Sequence, residues 1–101
     1  ITQAQAISRT RGELEQLLVI SIILHQCGLI SDEEKTDISS AAEAYATRSK
    51  LFSDINLLIS ELSESSQKTY ELVYATTKCD EPSLERLKSQ TLAWQANFMA
   101  Q

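Results

Sequence analysis

Two glycines and one proline are all that interrupt 101 residues, and this scarcity limits the folds open to the chain more than any other feature. Sheet folds use Gly and Pro at their many tight turns, so a chain nearly lacking both is expected to form long helices joined by short links. Ala, Leu, Glu, Gln, Lys and Arg, the strong helix formers, are abundant and agree with that expectation. At this length one domain spanning 1–101 is expected, with a core of modest size.

Four helices can be read from the spacing of apolar residues. The first is expected over about residues 9–27, with Ser8 or Thr10 as N-cap and Gly28 ending it in a left-handed conformation. Leu14, Leu17, Leu18, Val19, Ile20, Ile22, Ile23 and Leu24 are too many for one stripe. A helix apolar nearly all round has to be surrounded, by its own domain or by a partner laid on the uncovered side.

Ser31 and Glu34 have the spacing of a capping box, and Asp32, Glu33 and Glu34 put negative charge where a helix dipole favours it. The second helix therefore starts at Ser31. Ile38, Ala41, Ala42, Tyr45 and Phe52 mark its buried face, Glu43, Thr47 and Lys50 its wet one, and its end is expected near Lys50. Ser53 or Asp54 caps the third, whose stripe is Ile55, Leu58, Ile59 and Leu62. The polar residues 63–68 lead us to expect a bend or a locally exposed middle before apolar character returns at Tyr70, Leu72, Val73 and Tyr74, with an end around Thr77. Asp80, Glu81 and Pro82 open the fourth helix, on which Leu84, Leu87, Thr91, Trp94 and Phe98 share a stripe.

Nine basic against fourteen acidic residues leave a net charge of −5. Nucleic acid and anionic membrane surfaces are disfavoured partners on that balance. The most apolar stretch, residues 17–24, falls far short of the roughly 20 residues that span a bilayer, so no transmembrane span is expected. Ile1 in first position suggests a processed chain, which leaves the question of compartment to the cysteines.

Cys27 ends the first helix and Cys79 follows the third. In an antiparallel bundle both helices finish at the same pole, so the two sulfurs are delivered to one end. Two readings are open: one disulfide in an oxidising compartment, or two separate buried thiols in a reducing one. The even count and the matched poles favour the disulfide. Two sulfurs and the single His25 fall short of a structural zinc site, so no metal is expected.

Chemistry is hard to place on this sequence. His25 is the only histidine, and it sits at a helix end where a cation suits the dipole. Gly12 and Gly28 stand alone, with no glycine-rich phosphate loop around them. Neither an enzyme nor a cofactor is expected. Apolar surface remains: a greasy first helix beside a third and fourth helix carrying Tyr70, Tyr74, Trp94 and Phe98 can leave a groove for the apolar face of a partner helix. From periodicity alone, its lining is expected to be Ile20, Ile23, Leu24, Tyr70, Val73 and Tyr74. A structural helical adaptor that self-associates, or a small thiol enzyme, would be the competing readings.

Leu14-Glu15-Gln16-Leu17-Leu18 running on to Ile23-Leu24-His25-Gln26-Cys27 resembles the first helix of the PulS/OutS pilotins of type II secretion. Ser31-Asp32-Glu33-Glu34 stands where that family opens its second helix, and Ala41-Ala42-Glu43-Ala44 is similar to the helix that follows. Leu62-Ser63-Glu64, Tyr70-Glu71-Leu72 and Thr77-Lys78-Cys79 resemble the third helix and second cysteine, so the likeness covers about residues 13–90. The family's proline after the first cysteine is absent, and Lys50-Leu51-Phe52 stands in place of its Gly-Trp. The resemblance implies a disulfide between Cys27 and Cys79. It also implies a lipoprotein chaperone in the periplasm, at the inner face of the outer membrane. Such a chaperone captures the C-terminal segment of secretin subunits as a helix and touches the membrane only through an N-terminal lipid outside this chain.

Overall fold

The computed structural model describes residues 1–74 and the backbone of 81–99, with side chains over 82–96. It contains α1 (Gln3–Gln26), α2 (Asp32–Ser49), α3 (Ile55–Thr69) running directly into a π-helical turn (Tyr70–Tyr74), and α4 (Glu81–Met99). Among the described residues there is no strand, so the expected all-helical bundle is the architecture observed. Cys79, Asp80 and the expected third-helix end at Thr77 lie outside the described residues.

α1 starts earlier than its apolar pattern suggests. Neither Ser8 nor Thr10 caps it: both lie inside the helix, and Thr10 is buried. The cap is Thr2, whose Oγ1 accepts the Gln5 N–H at 3.1 Å while Gln5 Oε1 accepts the Thr2 N–H at 2.8 Å. Two backbone donors that the helix cannot satisfy internally are thus paired reciprocally. Nothing in Gln3-Ala4-Gln5-Ala6 resists helix, so the capping box sets the start.

At the other end the expected glycine stop is present. The Gly28 N–H donates to the His25 carbonyl at 3.1 Å and the Leu29 N–H to the Leu24 carbonyl at 2.9 Å, the paired bonds of a Schellman motif. Gly28 holds φ at +75°, and a Cβ there would meet no neighbouring atom. The cost of Gly28→Ala is therefore conformational only, about 1 kcal/mol of stability, and thermal unfolding of the single variant measures it.

The capping box at Ser31 and Glu34 is formed as expected, with contacts of 3.0 and 3.1 Å. α2 ends at Lys50, which takes the left-handed conformation (φ +57°). Its buried face is Ile38, Ala41, Ala42 and Ala46, and Phe52 lies beyond the helix end, half-buried against the core. Glu43, Thr47 and Lys50 are exposed.

α3 is capped by Asp54, whose Oδ1 accepts the Leu57 N–H at 3.0 Å. Its serine-rich middle is neither bent out of the α-helix nor wholly exposed. Ser66 is completely buried, its Oγ directed to the Glu15 carbonyl at 3.4 Å, and Ser65 Oγ donates to Glu15 Oε1 at 2.7 Å. Small hydroxyl side chains let α3 approach α1 closely while their polar atoms find partners on it. Buried Ser21 on α1 satisfies itself in the same way, donating to the Leu18 carbonyl at 2.7 Å. The irregularity comes later, in the π-turn. α1 packs mainly on α3 and α2, and α4 lies across α1 and α2 with less contact.

The expectation that the greasy helix is central holds. Leu14, Leu17, Leu18, Val19, Ile22, Ile23 and Leu24 are all buried, joined by Ile38, Leu58, Leu62 and Leu84 from the other three helices. Thr91 is also buried in the α4 stripe, where the spacing put it between Leu87 and Trp94.

Candidate binding clefts

Because α4 rests lightly on α1, it leaves a cleft on each side. The first, about 420 Å³, runs between α1 (Glu13, Leu14, Gln16, Leu17, Ile20), Tyr45 of α2, and α4 (Leu87, Gln90, Thr91, Trp94). The second, also about 420 Å³, lies between α1 (Gly12, Glu15, Gln16, Val19, Ile20, Ile23), Thr69, Tyr74 of the π-turn, and Leu87. Both share Gln16, Ile20 and Leu87, so together they form one trough along α1. Each volume lies within the range of ordinary ligand pockets.

The six residues expected to line a groove are not all brought together. Ile20 borders both clefts, and Ile23 and Tyr74 border the second. Leu24 does not belong to a groove: it is fully buried in the core with Ile38 and Leu62. Tyr70 is half-buried against the same core. Val73 borders neither cleft and is 60% exposed, with Leu72 beside it at 86%. The π-turn accounts for this. Its i→i+5 bonding takes one more residue per turn than an α-helix, so positions spaced for a common α-helical face no longer share one.

Trp94 was expected beside a groove, but Leu87, Gln90 and Thr91 of the α4 wall and the Glu13–Tyr45 pair were not. Tyr45 was legible on the buried face of the second helix and Leu87, Thr91 and Trp94 on the stripe of the fourth, and a stripe alone does not separate core from cleft edge. Tyr45 OH donates to Glu13 Oε2 at 3.1 Å, and its ring meets that of Trp94 at a centroid distance of 6.0 Å and an angle of 59°. Such a tilted pair is a favoured aromatic geometry. Partial burial, then the hydrogen bond and negative charge of Glu13, push the Tyr45 phenol above its ordinary value of about 10. The folded state holds this proton more tightly than the unfolded chain does. The contribution is therefore complete below about pH 10 and is lost as pH rises through the raised value. Tyr45→Phe should flatten the alkaline limb of a melting-temperature profile relative to the parent and lower neutral stability by less than about 1 kcal/mol.

His25 lies outside both clefts. Its Nε2 pairs with Asp32 Oδ1 across the α1–α2 turn, while its buried Nδ1 has no hydrogen-bond partner among the described residues. Among the described residues no group of three or more His, Cys, Asp or Glu is placed to hold a metal ion. No described helix is long and apolar enough to cross a membrane.

Comparison finds no match to a protein family, a curated protein or a solved structure.

Proposed function

We propose that this chain is a pilotin-like chaperone of the PulS/OutS kind, which captures the C-terminal segment of a type II secretion secretin as a helix. The observation that carries the reading is the trough along α1, with half-buried Ile20, Leu87 and Trp94 on its walls. A disordered segment that folds on binding loses about 2–5 kcal/mol to ordering. Three or four buried Leu-sized anchors, at about 1.5–3 kcal/mol each, exceed that. The trough is lined from all four helices and the π-turn, and its polar residues lie among apolar walls, as the groove for an amphipathic helix requires.

In this reading Cys27 is bonded to Cys79, tying the end of α1 to the segment before α4. Cys27 carries no free thiol, and it packs half-buried against the core. The bond fits the periplasm, with the protein held at the inner face of the outer membrane by a lipid upstream of this chain. The role is binding, without catalysis.

The test is a titration with a peptide of the secretin C-terminus followed by circular dichroism. The expected result is saturable binding with more helical signal than the sum of the two components. An additive spectrum up to high micromolar peptide would refute secretin capture.

A further inference from the structure

Each cleft is lined by one glutamate, and the first differs from the second in the aromatic pair beside its acid. Glu13 is the one charged residue lining it, and no lysine, arginine or histidine lines it among the described residues. The Glu13 carboxylate is held in place through one oxygen, which accepts from Tyr45 OH. A carboxylate has acceptor sites on both oxygens, so one such bond does not exhaust it. Tyr45 and Trp94, their rings tilted at 59° to each other, line the same cleft, and Leu14, Leu17 and Leu87 supply apolar wall. In the second cleft the corresponding acid, Glu15, accepts from Ser65, and no aromatic pair accompanies it.

We infer that this cleft seats an arginine side chain presented by the bound helix, so that the partner is an amphipathic helix with a basic residue set among its apolar anchors. The inference rests on the helix-capture reading above. A guanidinium can pair with a carboxylate and stack on aromatic faces at once, and its methylene stem lies along apolar wall. The chain's net charge of −5 favours approach of a basic segment over an acidic one.

Three amphipathic peptides without tryptophan, about 18 residues or five turns long, provide the probes. They are identical except at one central position, which is arginine, norleucine or glutamate. Trp94 is the chain's only tryptophan and lines the cleft, so its fluorescence reports binding. The arginine peptide should bind about tenfold more tightly than the norleucine peptide, and the glutamate peptide most weakly. In Glu13→Gln, with an unchanged circular dichroism spectrum, the arginine preference should fall below about twofold. Equal binding of arginine and norleucine peptides to the parent protein, or a preference that survives Glu13→Gln, would overturn the arginine seat and leave helix capture standing. Absence of binding by all three would overturn helix capture, and the seat with it.

Discussion

Leu24→Ala is expected to lower the unfolding free energy by about 3 kcal/mol, within the range for a fully buried leucine whose surroundings cannot collapse into the space. Leu24 is 0% exposed, and its carbonyl accepts the Leu29 N–H in the motif that ends α1. The deletion opens a cavity where the central helix turns toward α2. For a domain of this size such a loss is a large part of the total. Ile20→Ala, one turn earlier at the edge of both clefts, should cost about 1 kcal/mol and weaken peptide binding instead. Urea unfolding of the two variants separates core from trough on one helix. A loss below about 1 kcal/mol for Leu24→Ala would place that side chain outside the core.

Reduction of the proposed Cys27–Cys79 bond is expected to have a comparable effect. It would open a loop of about 50 residues, worth about 4 kcal/mol in the chain-entropy account. The denaturation midpoint in reductant should fall accordingly, and Cys27→Ser should reproduce the shift without reductant. α4 has less contact with α1 than α2 or α3 has, so the covalent tie matters most for holding the trough's outer wall. Identical unfolding curves with and without reductant would refute the bond.

The helix ends that depend on local chemistry were legible in the sequence. Gly28, the Ser31–Glu34 box and Asp54 act between residues three or four apart, and the geometry bears out each of them. Thr2 and Gln5 carry the same kind of signal, but no apolar stripe follows them immediately to call attention to it. The polar face of α3 was harder: Ser66 looks solvated from its neighbours, and only tertiary packing against Glu15 makes it a buried contact. For the site, periodicity located Ile20, Ile23 and Tyr74, but it assumed one helical repeat through residues 70–74, where the backbone is π-helical. It also gave no measure of how firmly α4 docks. Half-burial of Leu87 and Trp94, which decides whether they are core or cleft, is a property of that docking and not of their spacing.

Chemical-shift mapping with the secretin C-terminal peptide and isotopically labelled protein asks where a guest helix lies. Shifts concentrated on residues 12–23 and 84–94, with the Trp94 indole among the largest, are what the trough predicts. Shifts confined to the outer faces of α2 and α3, or none at saturating peptide, would contradict it.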